Sequence, residues 1–406
     1  MENISKKSPK ILALFLIGSI LILPFNIRNL INPLLGDYNI IWLIGLVYAY
    51  LNKKKIGITF SIKKNLFIFF LIVISIILII ISGNSNDFLQ NIRLILMMIV
   101  PTMLFLFEFH DYEQFKMFYS TVLKILNLSI YVIVFFGLID MISSSFFSAF
   151  FTNLYDSESL STMLASRRMV SYLGHSLYSA EVLLIFTILN YTFSLIHRTS
   201  KNKMLFIFFI SIIGTALTGS KMGVVLQLVF FIVINLKPSN LPTFVFGTLT
   251  LFIISLTGIF SRTIERLTEG IKQGDLSTGR NYYLKILRDT NQLNFKFFTS
   301  LGVTLPDYRF TIALEYPIYL FFYYYGIIFT IVFFSLLFLY PIIKAFFISN
   351  RKIKFDVLFM LILLIVQVNS YNGLGTGRDF ILLYVTVVFI IINTINNLKN
   401  MMIGEK

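Results

Sequence analysis

The chain has 406 residues, of which 57% are hydrophobic and only 13% charged, with 45 Phe and 21 Tyr. A water-soluble domain needs roughly a quarter of its residues charged to cover its surface, so lipid is the solvent that fits this composition. The formal charge of +15 does not indicate nucleic acid, because the basic residues fall in short clusters between apolar runs. That is the pattern that orients a membrane protein, not a stripe along a groove. With no cysteine in the chain, disulfides and thiolate metal sites are excluded.

The apolar runs cover about 11–25, 39–52, 65–82, 94–108, 119–141 and 177–196, then 204–218, 222–236, 241–260, 317–340, 355–370 and 379–396. The first follows Lys6, Lys7 and Lys10 like a signal peptide. No small-residue cleavage site comes after it, so it reads as a retained helix. Several runs fall short of the roughly 20 residues that a perpendicular span needs, and their helices must extend into the flanks. Placing the N-terminus inside puts more than half of the 34 Lys and Arg residues on cytoplasmic stretches, among them Lys53–Lys55, Lys201, Lys203 and Arg351–Lys354. The expected fold is an all-α polytopic membrane protein, a single integral membrane domain over 1–406. It has about twelve transmembrane helices and both termini cytoplasmic.

Two outward loops stand apart, at about 142–176 and 261–316. In the second, Ile264, Leu267 and Ile271 recur at helical spacing, as in a helix lying on the membrane surface. After Gly274, Ser277-Thr278-Gly279-Arg280 opens a further helical pattern with Tyr283, Leu284 and Leu287. Long loops with helices of their own usually carry function.

The informative cations are those that break the inward bias. Arg167 and Arg168 end the first loop, with His175 at the mouth of the next helix. Lys221 sits in the tight connection Gly219-Ser220-Lys221, which leaves little room for snorkelling. Arg280 opens a helix, where a cation opposes the dipole unless an anion offsets it. Arg378 follows the Gly-rich run 373–377, with Asp379 as its expected ion-pair partner. Each could simply anchor its helix among lipid headgroups. Together, on one side of the membrane, they suit a lipid-linked phosphate or pyrophosphate, which Arg grips through its fork and Lys as a point charge. No Asp-x-Asp pair, His-Glu-x-x-His or phosphate-binding loop with a following Lys-Ser/Thr occurs. No metal or cofactor is therefore expected.

Arg168-Met-Val-Ser-Tyr-Leu-Gly174-His175 resembles the Arg-x-x-Gly-x-x-x-His segment of the O-antigen ligase and polysaccharide polymerase (Wzy) superfamily, with Ser171 in place of the usual Gly. Thr218-Gly219-Ser220-Lys221 is similar to that superfamily's Thr-Gly-Ser-Arg/Lys turn. Ser277-Thr278-Gly279-Arg280 is similar to its Ser-Gly-Arg entry to the large loop helix, with Gly302 following. The resemblance implies a metal-independent, inverting glycosyltransferase of the bacterial plasma membrane. It would polymerise oligosaccharide repeat units carried on undecaprenyl pyrophosphate into capsule, exopolysaccharide or O-antigen. By the same resemblance Lys221 and Arg280 would be the main pyrophosphate ligands, with Arg168 and Arg378 in support. A flippase and a chain-length regulator would be partners.

Where the ligases carry His-Asn, this chain has Leu314-Glu315-Tyr316-Pro317. Glu315 could be the base for the incoming hydroxyl, His175 could be, or Glu315 could cap the following helix. The alternatives are a lipid-linked oligosaccharide flippase, which would line a central cavity with charge and needs no large outer loop, and a ligase that moves finished glycan onto another acceptor.

Overall fold

The computed structural model describes residues 7–82, 88–197, 199–236, 240–298, 307–375 and 379–404. The chain is helical almost throughout, and the helices coincide with the apolar runs. The first half of the chain supplies α1 (Ser8–Leu21), α2 (Phe25–Ile31), α3 (Ile40–Leu51), α4 (Leu66–Ser82), α5 (Asn91–Leu106) and α6 (Tyr112–Ile142). The first long loop carries α7 (Phe146–Tyr155) and α8 (Glu158–Ala165). Then come α9 (Ser176–Ile196), α10 (Lys201–Leu217), α11 (Lys221–Asn235) and α12 (Leu241–Ser255). The second loop carries α13 (Ser261–Lys272), α14 (Arg280–Asp289) and α15 (Tyr308–Ala313). The chain closes with α16 (Pro317–Tyr325), α17 (Ile327–Phe346), α18 (Arg351–Asn369) and α19 (Phe380–Gly404).

Among the described residues four helices, α6, α9, α17 and most of α19, are long and apolar enough to cross a bilayer. A fifth span results if α1 and α2, bent by 84° to each other, are one broken helix. The bend falls at Pro24, which cannot donate the hydrogen bond a continuous helix needs. Five more apolar helices, α3, α4, α5, α11 and α12, are shorter. The run over 317–340 is likewise broken, at Gly326, whose φ of 84° ends α16 and starts α17.

Burial sorts the helices. In α19, 94% of the spanning stretch is inside the protein, and in α9, 72%. A helix that is apolar all round and buried is a core helix. These two form the centre, α9 packing against α6, α10, α11, α18 and α19. On α4 and α12, by contrast, Phe67, Phe70 and Ile80, and Phe246, Leu249 and Phe252, are exposed. In water such faces would aggregate, and in a bilayer they meet acyl chains. The protein is thus an all-α membrane protein. One short antiparallel pair, β1 (Ile58–Phe60) with β2 (Phe107–Phe109), clips two connections together.

Asp379 has a partner far away in the sequence. Its carboxylate meets Arg28, with Nη2–Oδ1 at 2.8 Å and Nη1–Oδ2 at 3.0 Å. The remaining Arg28 donors reach the carbonyls of Ser19, Leu23 and Leu35, and Asn39 donates to Asp379 Oδ1 at 3.1 Å. Arg378, the partner expected for Asp379, lies outside the described residues, and the partner that the structure shows is Arg28. Asp379 points inward, and a buried carboxylate needs a partner that is equally buried. Here the two side chains are 2–3% exposed.

Both long loops have small cores of their own. Phe151, Leu160, Met163 and Val170 cluster in the first, and Leu287, Phe310, Ala313 and Leu314 in the second. On α13, Thr263 and Gly270 are buried while Ile264 and Ile271 are exposed. That disposition suits a helix resting on a membrane surface.

Candidate functional site

Three turns converge where the loops meet the helix bundle. In the first, Gly219 at φ 65° closes α10, and the Ser220 side chain caps α11 by accepting from the Gly223 N–H at 3.1 Å. A Cβ on Gly219 would stand 3.3 Å from Arg168 Cγ. Lys221 is therefore the first residue of α11, and its Nζ donates to Leu276 O at 2.7 Å and to Thr278 Oγ1 at 3.2 Å.

Those acceptors belong to the second turn. Asp275 organises it, accepting from the Ser277 N–H at 2.8 Å, the Ser277 hydroxyl and the Gly279 N–H at 3.0 Å. Burial pushes the Asp275 carboxyl up, but the Ser277 and Gly279 donors outweigh it and hold it below the usual range. Thr278 and Gly279 take φ of 62° and 91°, which delivers Arg280 to the start of α14. Its Nε and Nη2 meet Glu315 Oε2 at 2.6 and 2.5 Å, Nη1 donates to Ser370 O at 2.8 Å, and the guanidinium lies over the Tyr316 ring. Glu315 is thus the counter-ion of Arg280 and does not cap α16.

The third turn joins α8 to α9. Gly174 at φ 86° packs so closely that a Cβ would sit 1.9 Å from Asn26 Nδ2. His175 then caps α9, its Nδ1 accepting from the Leu177 N–H at 3.2 Å. That bond places the proton of a neutral ring on Nε2. Arg168 donates through Nε to Thr218 O at 3.1 Å, while its buried Nη2 has no partner among the described residues.

A cavity of about 1270 Å³ opens between these turns. Arg168, His175, Lys221, Arg280 and Glu315, five of the six candidate ligands and bases from sequence, all line it, whereas Arg167 does not. The sixth, Arg378, lies outside the described residues, as does Gly302. Sequence reasoning missed a further cation of the lining, Arg266 on α13, whose Nη1 donates to Gly219 O. It sits among Arg262, Glu265 and Glu269, which read as a solvated face. Met222, Val225, Leu320 and Phe321 add apolar surface to the lining.

The electrostatics are unbalanced. Among the described lining residues four cations face one carboxylate, and that carboxylate is bonded to Arg280. Burial first, then the neighbouring cation Arg266, pushes the Arg168 guanidinium down to about 9, with Glu315 opposing and Arg280 and Arg262 adding to the fall. Arg266 is lowered too, by burial and then by Arg262 and Arg280. Lys221 and Arg280 stand in the first turns of their helices, where the dipole is also positive. An anion with several oxygens would relieve all of these at once. Compared with known protein families, curated proteins and solved structures, the chain matches none.

Proposed function

We propose that this protein is a polysaccharide polymerase of the bacterial plasma membrane, with about twelve spans and both termini cytoplasmic. It joins oligosaccharide repeat units carried on undecaprenyl pyrophosphate. The observation that carries this reading is the convergence of Arg168, Lys221, Arg266 and Arg280 on one cavity that also holds Glu315 and His175 and has apolar surface in its lining. A pyrophosphate headgroup supplies the charge those cations lack, and its lipid chain suits the apolar surface. Pyrophosphate is already a good leaving group, so fixed guanidinium and ammonium donors can stabilise the departing charge without a metal. The acceptor sugar hydroxyl attacks the anomeric carbon from the opposite face, inverting it. A flippase would instead spread charge through a central channel, whereas here the cations collect where the two loops fold over the bundle.

The test is the length distribution of surface polysaccharide in cells lacking the protein, complemented with wild type, Lys221→Ala or Arg280→Ala at matched membrane levels. Single repeat units in the null and both variants, with long chains restored by wild type, are expected. Full-length polymer in the null would overturn the polymerase reading.

A further inference from the structure

The deepest acid beside the cavity is neither Glu315 nor any loop residue. Glu181 lies on α9, six positions after His175, in a helix otherwise free of acids. It is 1% exposed, and none of the ion pairs among the described residues includes it. Its Oε2 accepts a hydrogen bond from the Tyr371 hydroxyl, and its Oε1 has no partner among the described residues. Tyr371, just beyond α18, lines the cavity. Nearby, the Tyr178 hydroxyl on α9 and both amide ends of Gln367, near the end of α18, are also buried without partners among the described residues.

Structural economy does not account for this group. A buried carboxylate with no cation is costly to keep, and an unused lone pair adds to that cost. Ionisable groups kept inside a membrane bundle generally move ions or protons. The other two candidate bases are already engaged. Glu315 spends its charge on Arg280. His175 uses its Nδ1 lone pair on the α9 backbone.

We infer that Glu181, reached from the cavity through the Tyr371 hydroxyl, is the proton acceptor for the incoming sugar hydroxyl. The inference rests on the glycosyl-transfer reading above. The acceptor oxygen bonds to the anomeric carbon as the bond from that carbon to the pyrophosphate oxygen breaks, its electron pair leaving on the pyrophosphate. The hydroxyl proton passes to the Tyr371 oxygen as the Tyr371 proton moves to Glu181 Oε2. After release of undecaprenyl pyrophosphate, the carboxyl returns its proton by the same path. Tyr371 touches substrate in this scheme, and Glu181 acts through it.

The experiment uses the full-length protein in lipid nanodiscs with a lipid-linked oligosaccharide as both donor and acceptor, and follows chain elongation. Glu181→Gln keeps the shape and can still accept from Tyr371, but it cannot take a proton. Its kcat should fall by about 100-fold or more with KM unchanged. Tyr371→Phe should do the same, and the double variant should be no slower than either single one. Glu181→Asp should keep more activity than Glu181→Gln, whereas a purely structural role gives the opposite order, because Gln is the closer isostere. Should Glu181→Gln fail to fold, Tyr371→Phe decides alone. Wild-type kcat in any folded Glu181→Gln or Tyr371→Phe variant overturns the relay while leaving the polymerase reading intact. Absence of elongation by the wild type overturns both.

Discussion

Two buried guanidinium groups in this protein are treated in opposite ways. Arg28 donates to both oxygens of Asp379 and to three backbone carbonyls, so its donors are answered inside the fold. Arg168 is nearly as buried, yet among the described residues its side chain donates only to Thr218 O, has no partner for Nη2 and faces three other cations across a cavity. The first arrangement is complete without a ligand and holds the bend between α1 and α2 to the start of α19. The second is incomplete: among the described residues Glu315 offsets it only in part, and that carboxylate is bonded to Arg280. In a membrane protein, where charge is expensive, the degree of satisfaction separates a strut from a binding site.

The sharpest way to break the comparison is to orphan the strut. Asp379→Ala leaves Arg28 buried and unpaired, and should destabilise the protein by about 3–5 kcal/mol. Thermal unfolding in detergent would register this as a large drop in midpoint or a failure to accumulate in membranes. Removing a cation from the incomplete cluster should do the reverse. Lys221→Ala takes away one of four mutually repelling charges, so folding should survive, while transfer slows by roughly 10²–10³-fold, about 2.7–4 kcal/mol. Elongation rate and unfolding midpoint on the same sample check both halves. A Lys221→Ala variant that loses stability as Asp379→Ala does would erase the distinction.

The third effect is smaller and follows from pH. Arg168 is pushed down to about 9 by burial and its cationic neighbours, and a bound anion draws it back up. Its contribution to anion binding is therefore fully present below about 8 and is lost as pH rises through about 9. A prenyl pyrophosphate should bind about tenfold more weakly at pH 10 than at pH 8, close to 1.4 kcal/mol. Titration calorimetry across that range checks it. In Arg168→Gln the drop should shrink to the part carried by Lys221, whose ammonium is also lowered by burial and then by Arg266 and Arg280. That difference from wild type separates titration of Arg168 from that of the ligand.

Much of this was legible in the sequence, because the relevant signals are local. Each apolar run became helix, since in lipid the backbone must satisfy itself. The turns at Gly219 and Gly279 were marked by their glycines, and the cations that follow them reach the cavity together with Arg168, His175 and Glu315. What escaped was set by pairing at a distance. Asp379 sits beside Arg378 in sequence, yet it bonds Arg28, 351 positions away. Arg266 looked like one charge among many on an amphipathic helix, and only the packing of α13 over Gly219 turns it inward. Strands of three residues, such as β1 and β2, are too short to leave a period-two signal. Glu181 did leave a signal, a single acid in an otherwise apolar helix, but its meaning came with Tyr371.

The weakest member of the series is Arg93 with Asp37, whose Nη2–Oδ1 contact at 2.7 Å is as short as those of the strut. Distance alone would rank the two pairs equally. Their surroundings do not, because the Arg93 and Asp37 side chains are 33% and 40% exposed, against 3% and 2% for Arg28 and Asp379. An exposed pair gains little over hydration and is screened by salt, which limits it to about 0–1 kcal/mol. Asp37→Asn should therefore leave the unfolding midpoint almost unchanged, and added salt should remove what difference there is. If Asp37→Asn destabilised the protein as strongly as Asp379→Ala, the buried pair would owe its role to contact geometry and not to burial. The reading of Arg168 as an unanswered charge would then lose its physical basis.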